Sequence, residues 1–122
     1  MKRILVVEDS KSEQLLISGL LKTLGVEVIL CENGNLALDW LQNNPVPDLI
    51  FLDIIMPDMS GYDLCRKIRT ELNLETVPIV FCSTKGEEYD KFWALRQGGN
   101  AYITKPYSPN DLMKTAKDYL LA

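Results

Sequence analysis

Histidine is absent from the 122 residues. That absence removes imidazole as a general acid or base and as a metal ligand, and it excludes a phosphohistidine carried by this chain itself. Cysteine is scarce: Cys31, Cys65 and Cys82 are too widely and irregularly spaced for a zinc motif, and an odd number makes no disulfide framework. They read as buried reduced thiols, which suits a reducing compartment. No apolar run approaches the roughly 20 residues that span a bilayer, and the short run near the N-terminus is shorter than a secretory signal, so neither membrane insertion nor secretion is expected. Nor is there an excess of positive charge. With 13 Lys and Arg against 17 Asp and Glu, for a net charge of −4, the chain lacks the basic face that nucleic acid demands, and direct nucleic-acid binding is not expected. What remains is 47% hydrophobic and 25% charged, with no linker, repeat or low-complexity stretch. That describes one globular domain over residues 1–122, with no output domain and a cytoplasmic location.

Two acidic stretches stand out. Leu49 to Leu52 run straight into Asp53, and after Ile54, Ile55 and Met56 the chain meets Pro57 and a turn cluster, Asp58 to Gly61. A short unbroken apolar run bounded by turn signals reads as a strand buried on both faces, with Asp53 at its carboxyl end, in the crevice where open α/β sheets bind ligands. Taken alone, Asp53 reads more simply as the start of a turn. The N-terminus changes that balance, because the run Lys2 to Val7 ends in Glu8 and Asp9. If the two strands are parallel neighbours, three carboxylates converge at one sheet edge, where like charges repel unless a cation lies among them. Few carboxylates, with room left for water and phosphate oxygens, suit Mg²⁺ better than Ca²⁺.

The rest of the chain alternates strands and helices. Lys11 to Leu24 carries Leu15, Leu16, Leu20 and Leu24 at helical spacing, with Gly25 as a stop. Glu27 to Cys31 reads as a strand, and a helix follows around Leu36 to Gln42. Tyr62 to Leu72 is helical through Leu64, Cys65, Ile68 and Leu72. The run after Pro78 delivers Ser83 and Thr84 to the same edge as the acids. Glu87 to Gln97 is a further helix, ended by Gly98 and Gly99, and Ala101 to Thr104 is a short strand followed at once by Lys105 and Pro106. Ser108, Pro109 and Asp111 supply a cap, a proline and a first-turn acid for a last helix, with Leu112, Ala116, Tyr119 and Leu120 on its buried side. Five strands alternating with five helices call for a parallel sheet covered on both faces.

Four strand ends thus carry polar groups: Glu8 and Asp9, Asp53, Ser83 and Thr84, and Lys105. The acid pair in VVEDS, the acceptor in LDIIMPDMSG, the hydroxyl in VFCST and the lysine in YITKP together resemble the receiver domain of two-component response regulators. The resemblance covers the whole chain. It implies a flavodoxin-like, doubly wound five-stranded sheet of order 2-1-3-4-5. It also implies that Asp53 accepts a phosphoryl group from a histidine kinase or a histidine phosphotransfer protein, a carboxylate being able to form an acyl phosphate. Mg²⁺ would be held by Asp9, Asp53 and the backbone carbonyl of Ile55, with Glu8 acting largely through water. Lys105 and Ser83 would meet the phosphoryl oxygens, in a reaction that needs little beyond placement and charge neutralisation. Any catalysis would concern only the chain's own phosphorylation and dephosphorylation. A cis bond between Lys105 and Pro106 is a further implication.

In the switch that the resemblance implies, Ser83 moves toward the phosphate and Tyr102 turns inward, biasing a downstream protein-binding surface made by the last two helices and the strand between them. Set against this, Tyr102 is also an ordinary half-buried strand tyrosine. The sequence departs from the family at Ser83, where threonine is more frequent, and at Thr84, where a smaller residue is usual. Ile55 and Lys85 offer no carboxylate or amide to orient a hydrolytic water, so a long-lived acyl phosphate is expected. The segment from Lys85 to Tyr107 is similar to single-domain regulators of twitching motility or phototaxis, and of the adjacent Phe92 and Trp93 one is expected to face outward. A phosphatase of the haloacid-dehalogenase type would want an acid where Ile55 stands. A flavodoxin-type binding module would want glycines where EDSKSEQ has acids. The third rival, a degenerate receiver, is disfavoured by the complete residue set.

Overall fold

Along the first strand successive side chains point to opposite faces, and both faces are covered. Leu5 and Val7 pack into one apolar cluster while Ile4 and Val6 pack into another. The computed structural model describes residues 1–121, and in it the chain forms β1 (Arg3–Val7), α1 (Lys11–Lys22), β2 (Glu27–Cys31), α2 (Gly34–Asn43), β3 (Leu49–Leu52), α3 (Gly61–Thr70), β4 (Ile79–Ser83), α4 (Glu88–Arg96), β5 (Ala101–Thr104) and α5 (Pro109–Leu120). The sheet is parallel throughout, in the order β2-β1-β3-β4-β5, as the sequence implied.

The period of two continues in β3 and β4. Ile50, Leu52, Ile79 and Phe81 meet Ala37 and Leu41 of α2, Leu64, Cys65 and Ile68 of α3 and Ala94 of α4. Leu49, Phe51, Val80 and Cys82 meet Ile17 and Leu21 of α1 and Leu112, Ala116 and Leu120 of α5. The three central strands are therefore buried on both sides, which is why they read as unbroken apolar runs. Three helices cover one face and two the other.

Caps fix where most helices start. Ser10, Asn33, Ser60 and Ser108 each accept a hydrogen bond from the backbone N–H three residues on, and Pro109 occupies the first turn of α5. The buried face of α1 is only partly the expected one, for Leu20 and Leu24 pack against the core but Leu15 and Leu16 do not. Leu15 and Leu16 are 74% and 51% exposed, and Ile17 and Leu21 face the sheet instead. Two apolar stripes competed here, and the helix phase is decided at its first turn. Glu13 reaches over the sheet edge toward Lys105, so Ile17, four residues on, is carried underneath it.

One arginine organises the end of the sheet remote from the acids. The Arg69 guanidinium, near the C-terminus of α3, donates to the carbonyls of Leu74, Val77 and Gly98 and to Oδ1 of Asn100, at 2.7–3.0 Å. Asn100 Oδ1 also accepts from the N–H of Ile79 at 2.9 Å. One side chain thereby ties α3 to the chain entering β4 and the chain entering β5. At the other end Gly61 is obligatory for packing: its N–H donates to the Ile54 carbonyl at 2.8 Å, and a Cβ there would lie 2.1 Å from the carbonyl oxygen of Asp53.

Candidate functional site

The strand order reverses between β1 and β3, and Val7 sits opposite Leu52, so both strands leave the same edge side by side. Asp53 N–H donates to the Val7 carbonyl at 3.1 Å and Glu8 N–H to the Cys31 carbonyl at 3.0 Å, which sets the residues just beyond the strands. One carboxylate oxygen from each of Glu8, Asp9 and Asp53 then lies within 4.8 Å of the others. Asp9 is exposed, and Glu8 is buried.

Lys105 enters this cluster from the end of β5. Its ammonium stands 2.5 Å from Glu8 Oε1, 3.3 Å from Asp53 Oδ2 and 3.7 Å from Glu13 Oε2, and only 11% of its side chain is exposed. Burial alone would favour the neutral amine, but the hydrogen bond to Glu8 and the charges of Asp53 and Glu8 outweigh it and hold the ammonium well above its ordinary range. Burial pushes the Glu8 carboxyl upward, against the lowering effect of Lys105 and of the Ser10 N–H that donates to Oε2 at 3.0 Å. The Lys105–Pro106 bond is cis.

The charges do not balance. Glu8, Asp9, Glu13 and Asp53 face a single ammonium, and the open side next to Asp9 gives onto solvent. Hard carboxylate oxygens from two adjacent strand ends, with one side free for water and ligand oxygens, fit a divalent cation of the Mg²⁺ type.

The sequence model of the response regulator receiver domain matches residues 4–117. The chain belongs to the response regulator receiver family. This receiver domain is 35% identical to Protein PilH of Pseudomonas aeruginosa over 115 residues, 94% of either chain. Several other curated relatives are longer, and the receiver domain spans 48–50% of them. Among solved structures it superposes on chemotaxis protein CheY4 of Vibrio cholerae with a TM-score of 0.90 and 29% identity, covering 98% of this chain and 99% of that one. It superposes on the receiver domain of sensor histidine kinase PA1611 from P. aeruginosa with a TM-score of 0.88 and 29% identity, covering 99% and 98%. That structure has a magnesium ion coordinated in its active site cleft.

The other residues singled out in the sequence are spread around the cluster. Ser83 is buried at the end of β4; its carbonyl accepts from Lys105 N–H at 2.8 Å and its hydroxyl from Lys85 N–H at 3.4 Å. Thr84 and Ile55 are exposed. Tyr102 is half-buried in β5, its ring stacked on Phe81 at 6.5 Å between centroids and its hydroxyl donating to the Lys85 carbonyl. Burial pushes its phenol up to about 12. Phe92 and Trp93 are both exposed, at 60% and 50%, along with Tyr89 and Leu95. Only Asp90 and Ala94 of α4 are buried, so the outer face of this helix is wide enough for two adjacent aromatics.

Three contributors escaped the sequence reading. Glu13 is one, an acid in the first turn of the helix that follows the acid pair. Gln14 is another: its amide donates to the Glu8 carbonyl at 2.5 Å. The third is Asp58, whose carboxylate accepts from the N–H groups of Gly34, Asn35 and Met59 at 2.8–3.1 Å. Slight burial raises its carboxyl, but those backbone donors outweigh burial and leave it below the usual carboxylate range. Asp58 thereby pins the loop after Asp53 to the start of α2.

Proposed function

We propose that this receiver domain is a phosphorylation-activated switch of a two-component phosphorelay, taking a phosphoryl group on Asp53 from a histidine kinase or a histidine phosphotransfer protein. The observation that carries this reading is the Asp53 carboxylate, at 3.3 Å from the Lys105 ammonium and within 4.8 Å of both other acids. In the transfer, an Asp53 oxygen forms the new bond to phosphorus as the bond from phosphorus to the donor breaks. Lys105 supplies positive charge to the phosphoryl oxygens, and Ser83 a hydroxyl. Asp9 and Asp53, with the Ile55 carbonyl and with Glu8 through water, would hold Mg²⁺. When bound, the ion supplies neutralisation of the phosphoryl charge.

The signal leaves by protein contact. Tyr102 already lies against Phe81 with its hydroxyl on the Lys85 carbonyl, so a shift of Ser83 toward phosphate would favour this position over an outward one. The exposed aromatics of α4 belong to the surface formed with β5 and α5, which is the proposed docking face for a downstream protein. A cytoplasmic role in motility is the cellular reading, supported by likeness to PilH and to the chemotaxis protein CheY4.

The test is incubation with acetyl phosphate and Mg²⁺ followed by intact mass. A single phosphoryl adduct is expected on the wild type and none on Asp53→Asn; an adduct on both, or on neither, refutes the reading. Ile55 and Lys85 leave a hydrolytic water unoriented, so the adduct is expected to persist for minutes. Decay within seconds would overturn that part.

A further inference from the structure

Tyr107, two residues beyond Lys105, has the one buried side-chain nitrogen or oxygen among the described residues with no hydrogen-bond partner, its hydroxyl. It lines a small pocket under the lysine together with Glu8, Glu13, Asp53, Cys82 and Lys105. About 10 Å³ of that pocket admits the centre of a water molecule, close to what a single water requires. The phenol is pushed up to about 12, first by burial and then by Cys82, Glu13 and Glu8, with Lys105 opposing, so its hydroxyl shares the surroundings of these groups.

A second group in the same pocket is short of an acceptor. A lysine ammonium has three N–H donors, and Lys105 places two of them, on Glu8 and on Asp53. The remaining carboxylate, Glu13, stands at 3.7 Å, beyond hydrogen-bond range. A water between these groups would satisfy every deficit at once: its oxygen would accept from the third Lys105 N–H and from the Tyr107 hydroxyl, and its hydrogens would go to the Glu13 and Glu8 carboxylates. Leaving the hydroxyl and the N–H unpaired instead would cost the desolvation of both.

We propose that Tyr107 is a positioning residue for phosphoryl transfer, holding one buried water that fixes the Lys105 ammonium beside Asp53. Lys105 is the group that meets the phosphoryl oxygens in the function proposed above, and the inference rests on that reading for its kinetic consequence. The water itself does not depend on it. Glu13 belongs to the same device: it has no place in the acid cluster around Asp9, and its carboxylate is the acceptor that orients the water.

The test uses Tyr107→Phe, which deletes one oxygen and keeps the ring. A high-resolution crystal structure of the unphosphorylated wild type is expected to hold a water within hydrogen-bond distance of Tyr107 Oη and Lys105 Nζ, and that of Tyr107→Phe to lack it. Phosphorylation by acetyl phosphate is expected to slow by about fivefold in Tyr107→Phe, the rate equivalent of one neutral hydrogen bond, that of the hydroxyl to the water. Mg²⁺ affinity, read by isothermal titration calorimetry, should not change. In a Lys105→Met background the same substitution should have no further effect on rate, because the water would act through the lysine. An empty pocket in the wild type, a wild-type rate in Tyr107→Phe, or effects of the two substitutions that simply multiply would each overturn the assignment. If no variant accepts phosphate at all, the phosphoacceptor reading fails, and the crystallographic water still decides whether the hydroxyl holds it.

Discussion

Replacing Lys105 by methionine keeps the aliphatic stem and deletes the ammonium that Glu8, Asp53 and Glu13 share. Glu8 bears most of the loss, because it is nearest the ammonium, at 2.5 Å, with a side chain 7% exposed; Asp53 stands farther off, at 3.3 Å, and Glu13 is open enough to be hydrated. Stranding one charge of a buried pair costs about 3–5 kcal/mol when that charge has no escape. Glu8 has one, since it can take up a proton. Neutralising a carboxyl with an ordinary value of 4.5 at pH 7 costs about 3.4 kcal/mol, and this caps what Glu8 adds to the loss. At pH 5 the cap falls to about 0.7 kcal/mol. The sign follows from the direction of the shift. Without the ammonium the Glu8 carboxyl is raised further, so the deficit opens above pH 4.5, grows with pH, and levels off once the pH passes the raised value. Urea unfolding in metal-free buffer at pH 5, 6 and 7, followed by circular dichroism, measures it. The expected loss is about 3 kcal/mol at pH 7 and under about 1 kcal/mol at pH 5, with an unchanged urea slope. Adding Glu8→Gln to the variant should restore most of the difference at pH 7. A loss independent of pH, or a double variant no more stable than the single one, refutes the reasoning.

Arg69→Met removes a guanidinium bonded to three carbonyls and a side-chain amide oxygen, and should destabilise by about 2–4 kcal/mol in urea unfolding; a change below about 0.5 kcal/mol contradicts the role given to it. Tyr102 and Tyr107 are both held neutral up to about 12, so their contribution to stability is complete below pH 10 and is lost as the pH rises through 12. An ultraviolet titration should show a late tyrosine step that shrinks in Tyr102→Phe, and an unchanged late step there speaks against the burial argument.

The fold was legible because its strands are short, apolar and flanked by turn residues. Glu27–Cys31 and Ala101–Thr104 begin and end where the pattern put them. Asp53, Glu8, Asp9 and Lys105 were legible as a group because each follows an apolar run, and parallel strands bring such positions to one edge. What escaped depends on rotation and on distance in space. The leucines of α1 offered two stripes, and periodicity alone could not choose between them. Nothing in the sequence sets Glu13 apart from an ordinary first-turn acid; the phase of α1 aims it at Lys105. Arg69 sits in a helix whose sequence gives no sign that its guanidinium ends among carbonyls of two other loops. The exposure of both Phe92 and Trp93 follows from how little of α4 faces inward, a property of its neighbours more than of its own residues.

The bonds made by Arg69 give the molecule unequal ends. Where β4 and β5 begin, one planar cation fastens α3 to both incoming chains, and this end acts as a fulcrum. Where they finish, Lys105 fastens the connection to α5 through Glu8 and Asp53, and the connection to α4 is held at Lys85, whose carbonyl accepts from Tyr102 and whose N–H donates to Ser83. In the proposed switch a small displacement at Ser83 would reach α4 through Lys85, and four large apolar side chains along that helix meet the solvent.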